Sequence, residues 1–362
     1  LKQEIYDLTG AHGFNLNSPQ QLGRVLFEDL KLPHGKKTSK GYATDADTLE
    51  NLRDSHPAIE KILAYRQLVK LTGTYVDALL RKTDPSGRVH TTFDQTATAT
   101  GRISSSEPNL QNIPVRTELG REIRRAFVPR AGWRLSDADY SQIELRVLAH
   151  MSGDANMVDA FRLGQDVHTR TAAEVYGVPM EQVTADMRRS AKAVNFGLVY
   201  GISEFGLSRN LGISRREAAQ FIERYFDRYP GVKTFMDMTV QKGYRDGYAV
   251  TLMGRRRQLT ELKSANANIR SFGERAAMNT PVQGTAADII KLSMVRVHRA
   301  LRDEGLSARL ILQVHDELIV ECPPEEVAQV EALLRRCMEG AAALQVPLKT
   351  DVHSGESWYE TK

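Results

Sequence analysis

The sequence predicts an α+β fold, with a mainly helical middle inserted between strand-bearing flanks. Three observations predict it. Residues 152 to about 295 carry helical patterning. The stretch after Trp133 reads as a strand that becomes a helix at Ser141. The short apolar runs 309–314 and 318–322 read as two strands around a His-Asp-Glu tip. At 362 residues the chain exceeds one ordinary core, so two or three subdomains are expected.

The first stretch is helical. Ser18-Pro19-Gln20-Gln21 is a helix start, with Ser as N-cap, Pro at the first helical position and Gln three residues on. A polar, Gly-containing stretch at 36–41 comes next, then helical patterning from Asp47 to about Leu80. Residues 85–116 are rich in Thr, Ser, Asn and Gln, and Pro108 and Pro114 interrupt any helix there. A polar stretch of that length inside a compact domain points to function or disorder. In the middle, Ser214-Arg215-Arg216-Glu217 is a capping box, and Pro230-Gly231 ends the helix it starts. Beyond the two apolar runs come a helix from about Glu325 to Glu339 and an extended end.

Composition narrows the class. With 41% hydrophobic and 26% charged residues the chain reads as soluble and globular. No apolar run approaches the roughly 20 residues that a membrane span needs. The first residue is Leu1, so a fragment of a longer protein is expected. The net charge of +4 is too modest to argue for a polyanionic partner by itself. Three clusters say more: Lys36, Lys37 and Lys40; Arg121, Arg124 and Arg125; Arg255, Arg256 and Arg257. Each alone reads as solvated surface; together, beside an acidic centre, they suit a phosphate backbone. Cys322 and Cys337 are the only cysteines, which fits a reducing compartment and excludes a disulfide framework or a cysteine-based zinc site.

Three constellations carry chemistry. In Ser136-Asp137-Ala138-Asp139-Tyr140-Ser141-Gln142-Ile143-Glu144, Asp139 sits at the strand-to-helix junction, where its carboxylate can project into a cleft. Ser141 and Glu144 also match a capping box, which gives Glu144 a second reading as a helix cap. Asp139 likewise has a second reading as a partner of the helix N-terminus. In the second, His315-Asp316-Glu317 lies between two apolar strands where a tight hairpin favours Asn-Gly or Asp-Gly. Two carboxylates in that setting are costly unless a cation is bound. In the third, Arg188, Lys192, Phe196 and Tyr200 recur every four residues, a helical ridge about 18 Å long. Alone, it reads as an amphipathic helix with a solvated basic end. Taken with two strand-borne aspartates, two cations followed by two aromatics suit a triphosphate, a sugar and a base. Hard Mg²⁺ takes carboxylate oxygens and substrate phosphates, so phosphoryl transfer is the reaction class expected. No G-x-x-x-x-G-K-[ST], G-x-G-x-x-G or H-E-x-x-H pattern offers another phosphate or metal device.

These segments resemble the motifs of the bacterial DNA polymerase I family, family A. The run Asp139 to Arg146 resembles its motif A, Arg188 to Gly201 its motif B, and Gln313-Val314-His315-Asp316-Glu317 its motif C. Thr100-Gly101-Arg102, Pro108-Asn109-Leu110-Gln111-Asn112-Ile113-Pro114 and Met278-Asn279-Thr280-Pro281-Val282-Gln283-Gly284 match as well, so the resemblance covers essentially the whole chain. It implies a right-hand fold: an antiparallel palm sheet, helical fingers and a partial helical thumb. Residues 1–84 would be a thumb shortened at its N-terminal side, 85–151 and 279–362 the palm, and 152–278 the fingers, with no nuclease domain in this chain.

The resemblance also implies roles. Asp139, Asp316 and the Tyr140 carbonyl hold two Mg²⁺ ions, for which Mn²⁺ can substitute, and Glu317 is an accessory carboxylate. Arg188, Lys192 and His168 hold the triphosphate, with Lys192 also counted as catalytic. Phe196 lies against the deoxyribose, Tyr200 near the templating base, and Gln142 in the substrate pocket. Glu144 bounds the space that a 2′-hydroxyl would take. Arg102, Asn112, Asn279, Gln283, Arg275 and His315 contact primer–template DNA, the minor-groove probes reading acceptors that nearly every correct pair shares. Arg66, Lys70 and the loop 36–40 contact the duplex backbone. The expected partners are primer–template DNA and deoxynucleoside triphosphates, without a membrane, for a monomer in the bacterial cytoplasm near the nucleoid. The rival readings are a single-subunit RNA polymerase, which Glu144 and Phe196 disfavour, a nuclease, and a catalytically silent DNA-binding module that keeps the fold.

Overall fold

Among the described residues of the first ninety lie five α-helices: α1 (Lys2–Thr9), α2 (Pro19–Arg24), α3 (Ala46–Glu50), α4 (Ala58–Leu71) and α5 (Asp77–Lys82). The computed structural model describes residues 1–35, 37, 41–115 and 117–362, so Lys36 and Lys40 of the expected basic loop lie outside the described residues. It separates into two units, Leu1–His90 and Thr91–Lys362. In the first, Ser18 caps α2 as expected, its hydroxyl accepting from the Gln21 amide. The Gln21 side chain does not reach back to the cap; it accepts from the Asn15 amide at 2.6 Å. The patterning from 47 to 80 is not one helix. It breaks ahead of Pro57, the N-cap of α4, whose missing N–H and ring disfavour continuing a helix through it, and a π-helical turn at Thr72–Val76 separates α4 from α5. Ile5, Leu22, Leu26, Leu49, Ile59 and Ile62 are fully buried as this unit's own core.

The second unit begins in the polar stretch, where β1 (Thr92–Asp94) pairs antiparallel with β2 (Ser104–Ser106). Next come α6 (Glu118–Glu122) and β3 (Arg134–Tyr140). A helical run follows: α7 (Ile143–Ser152), α8 (Ala155–Arg162), α9 (Val167–Tyr176), α10 (Ala185–Val199), α11 (Glu204–Leu211), α12 (Arg215–Arg228) and α13 (Pro230–Asp246). The capping box at Ser214 and Glu217 forms in full at the start of α12. Pro230 does more than end that helix: it is the first residue of α13, where its missing N–H costs nothing. A hairpin, β4 (Tyr248–Val250) with β5 (Arg256–Gln258), interrupts the expected helical middle. Then α14 (Ala267–Asp303) runs 37 residues, about 55 Å at 1.5 Å per residue.

The chain closes with β6 (Arg309–Val314), β7 (Glu317–Cys322), α15 (Val327–Glu339) and β8 (Thr350–Gly355). These strands and β3 form one antiparallel sheet in the order β6-β7-β3-β8. All six residues of β7 are buried, as a central strand requires. The register sets Asp139 opposite Glu317 on one side and Asp351 on the other. Sequence positions nearly 180 apart thereby become neighbours at one end of the sheet. Ile289 of α14 and Leu333 and Leu334 of α15 share one core with Ala138, Leu318 and Val320 of the sheet, and Leu145 and Leu148 of α7 belong to the same core. Gly284 lets α14 approach closely: a Cβ there would lie 2.5 Å from Thr251 Cγ2 and 3.3 Å from the Thr100 carbonyl. That approach seats the segment carrying Arg102 against the long helix.

Candidate active site

Asp139 is the last acidic residue of β3, and Asp316 lies in the turn between β6 and β7. The Tyr140 amide donates to the Asp316 carbonyl at 3.2 Å, which ties the two segments together. Both turns beside these carboxylates hold a non-glycine residue in the left-handed region, Gln142 at φ 56° and His315 at φ 54°. Each costs roughly 1–2 kcal/mol, a strain that accumulates where the backbone must aim a side chain. His315 thus supplies the positive φ that the hairpin needs, in place of the usual Asn or Gly.

Burial dominates the electrostatics of the carboxylates here. Burial, then the neighbouring Asp139, pushes Asp316 up to about 7. Burial also raises Asp139, against the opposing pull of Lys362. Asp137, two residues before Asp139 and so on the same face of β3, is pushed up to about 9 by burial and then by Glu317. Burial works against the Glu317 carboxylate too, but Asp137, Lys362 and Trp358 outweigh it and hold its pKa low. The Trp358 indole donates to Glu317 Oε1 at 3.0 Å. Arg124, expected on the surface, is buried and stacks over the Trp358 ring with its guanidinium carbon 4.0 Å from the centroid.

Glu144 does not cap a helix. The helix α7 starts at Ile143, and its N-cap residue Gln142 makes no side-chain cap. The left-handed Gln142 turns Ser141 away from the position a capping box requires. Glu144 instead accepts two hydrogen bonds, from Arg102 Nη2 at 2.5 Å and from the Tyr200 hydroxyl at 2.7 Å. One carboxylate therefore joins the polar stretch to the end of the ridge.

The ridge lies on α10 and its C-cap residue Tyr200. Arg188, Lys192 and Tyr200 are exposed and Phe196 is half-buried, so the aromatics are not simply core. Arg188 pairs with Asp166, 2.8 Å at its shorter contact. His168 is buried, its ring 5.5 Å from that of Phe196. Asn195 Nδ2 donates to His168 Nδ1 at 3.1 Å, which leaves the proton on Nε2. Burial lowers His168 to about 4, so it is neutral near pH 7 and acts as a hydrogen-bond donor rather than a charge. Sequence reasoning missed Asn195; an apolar helix face interrupted by an amide was the available signal.

The remaining expected residues divide between the units. Asn279, Gln283 and Arg275 lie on α14, where Arg275 Nη1 donates to Ser271 and Asn279 Oδ1 is buried without a hydrogen-bond partner. Asn112 lies in the short 3₁₀ turn Leu110–Asn112, whose Gln111 Nε2 donates to Gln313 Oε1 at 3.1 Å and to the Ile103 carbonyl at 3.2 Å. Arg66 and Lys70 are on α4 in the first unit; Lys70 is exposed, while Arg66 donates to the Thr44 carbonyl and hydroxyl. Lys362, also unforeseen, sets its ammonium among Asp137, Asp139 and Glu317. Asp137 was legible from its i, i+2 spacing to Asp139; Lys362 had no local signal.

Among the described residues no three Asp, Glu, His or Cys side chains are grouped so that they could hold a metal ion by themselves. Asp139 and Asp316 form an open pair, which suits Mg²⁺: that ion takes one or two carboxylates and completes its shell with waters and substrate phosphates. Burial raises both carboxylates, and a divalent cation held between them would favour their charged forms.

The comparisons with known proteins agree on one family. The model of DNA polymerase family A matches residues 1–360. The chain is 57% identical over 364 residues to DNA polymerase I of Geobacillus stearothermophilus and 55% identical over 363 to that of Bacillus subtilis, covering 100% of this chain and 41% of each relative. The thermostable DNA polymerase I of Thermus thermophilus is 53% identical, with 43% of its length covered. The chain thus spans about two fifths of the curated relatives it matches. Among solved structures, the POL domain of Pol1 from M. smegmatis in complex with DNA primer-template and dNTP superposes with a TM-score of 0.94 at 48% identity. That match covers 99% of this chain and 64% of the other.

Proposed function

From the premise that the chain belongs to DNA polymerase family A, we propose that it adds deoxynucleotides to a primer 3′ end under the direction of a template strand. The primer 3′-oxygen displaces pyrophosphate at the α-phosphorus in line, one P–O bond forming as another breaks. Asp139, Asp316 and the Tyr140 carbonyl would hold the magnesium ions, which when bound lower the charge on the attacking and leaving oxygens. Manganese can replace them.

The chain's own residues supply positioning. Lys192 and Arg188 meet the triphosphate as cations, with Arg188 exchanging Asp166 for phosphate. His168 Nε2 adds a neutral donor. Phe196 lies along the deoxyribose, and Glu144, held from both sides, fills the space beside its 2′ carbon. The single observation that supports this reading best is the Glu144 carboxylate, which Arg102 and Tyr200 grip at 2.5 and 2.7 Å. A carboxylate held between the expected DNA-facing Arg102 and the nucleotide-facing Tyr200 suits a template-directed polymerase, which must tell one sugar from another.

In the same reading residues 1–84, within the unit Leu1–His90, are the thumb, and Arg66 and Lys70 on α4 meet the duplex backbone. The sheet β6-β7-β3-β8 is the palm, and 152–278 the fingers. Asn112, Asn279, Gln283, Arg275 and His315 line the path of the DNA. The protein is taken to act as a monomer in the bacterial cytoplasm.

The test is Mg²⁺-dependent primer extension with all four deoxynucleotides, run beside Asp316→Asn. The expected result is extension by the native chain only, with equal duplex binding by both. A folded native chain that binds primer–template yet never extends it would favour the silent module. Loss of binding in Asp316→Asn would make Asp316 a structural residue.

A further inference from the structure

The four residues before Lys362 do not dangle. Trp358 and Thr361 are both 1% exposed. The Trp358 amide donates to the Phe127 carbonyl at 2.9 Å, and Phe127 meets its ring edge-on at 5.5 Å. The Thr361 hydroxyl donates to Asp137 Oδ2 at 3.2 Å. Two buried pegs thus fix where Lys362 can reach. Its ammonium lies 3.0 Å from Glu317 Oε2, 3.3 Å from Asp139 Oδ2 and 3.5 Å from Asp137 Oδ2. Asp137 and Asp139 share one face of β3, and Glu317 pairs with Asp139 across the ladder. So the cation is seated where two strands present three carboxylates.

We propose that Lys362 is a positioning residue of the candidate active site, a built-in cation that holds the Asp139 carboxylate until a divalent ion takes over its Oδ2. The inference rests on the reading of Asp139 as a metal ligand. An ammonium and a divalent ion at the same Asp139 carboxylate compete for its charge and repel one another. Mg²⁺ at 2.0–2.1 Å from its Oδ2 would sit close to that like charge. Glu317, whose contact with Lys362 is shorter, retains the ammonium and draws it aside. Lys362 therefore weakens the metal-free chain's grip on its first divalent ion while holding the Asp139 carboxylate in place. Repulsion between a monovalent and a divalent cation some 5 Å apart, even in water-like surroundings, corresponds to about tenfold in affinity.

The experiment measures Mn²⁺ binding to the full chain without DNA or nucleotide, from the electron paramagnetic resonance of free Mn²⁺. Native protein is compared with Lys362→Met, Lys362→Gln and Asp139→Asn. The expected result is about tenfold tighter binding in both Lys362 variants, Gln keeping a polar group should Met fail to fold. General damage to the site would loosen binding, so tightening separates competition from disruption. Unchanged or weaker binding in the Lys362 variants, with the site lost in Asp139→Asn, overturns the proposal alone. Full Mn²⁺ binding in Asp139→Asn overturns the reading of Asp139 on which it rests.

Discussion

Replacing Glu144 by alanine tests the nucleotide-facing geometry directly. The side chain is 8% exposed, so its removal opens a space of four heavy atoms that the surrounding structure lines closely. Forcing a hydroxyl into a filled site costs roughly 1–3 kcal/mol, and relieving that cost should raise ribonucleotide use about 5- to 150-fold relative to deoxynucleotides. Stability should change little. Arg102 and Tyr200 lose their shared acceptor, but they are 38% and 40% exposed and water can replace it, which limits the loss to about 1 kcal/mol. The assay is single-nucleotide insertion, comparing kcat/KM for paired ribo- and deoxynucleoside triphosphates. Glu144→Gln keeps the volume and should keep the sugar preference while removing the charge beside Arg102. A native sugar preference in a folded Glu144→Ala variant would refute the reasoning. Equal relaxation in Gln and Ala would mean that charge, not bulk, does the excluding.

Three further outcomes are expected. His168, lowered to about 4 by burial, stays unprotonated in the folded chain while the unfolded chain takes up a proton below about 6.5. Its contribution is complete above pH 6.5 and is lost as pH falls to 4, on the order of 3 kcal/mol, so urea unfolding of His168→Gln should show a flatter pH profile over that window; parallel profiles would exclude it. Gly201→Ala should cost about 2 to 4 kcal/mol, because φ is +68° and a Cβ would lie 2.8 Å from Arg275 Cγ and 3.0 Å from Met278 Cε. Calorimetric melting measures that loss, and an unshifted Tm would contradict it. Phe196→Tyr should raise acceptance of dideoxynucleotides about fivefold, the worth of a phenolic hydrogen bond of about 1 kcal/mol in place of the missing 3′-hydroxyl contact; an unaltered ratio would place the ring away from the sugar.

Much of this was legible in the linear chain because its signals are local. A capping box at Ser214 needs only four residues, and the ridge from Arg188 to Tyr200 needs only the 3.6-residue period. The runs 309–314 and 318–322 needed only apolar content and a polar interruption, though Glu317 joins the second strand. What failed depended on neighbours distant in sequence. The cap expected at Glu144 lost to Arg102, 42 residues away, and to Tyr200, 56 away, once Gln142 adopted a left-handed turn. Arg124 went from expected surface to burial because Trp358 offered its ring. The hairpin at Tyr248–Gln258 was hidden by having strands of only three residues, too short for alternation to register.

Most of the longer elements, the motifs and the family resemblance were readable along the chain, since helix periodicity, strand runs and residue spacing are properties of sequence neighbours. Which distant charges meet depended on the folded chain. It brought Asp139 beside Glu317, gave Glu144 its two donors and set Lys362 among three carboxylates. The physical reason is that a carboxylate's pKa and partner depend on distance and burial, and both are set by the sheet register rather than by position in the chain.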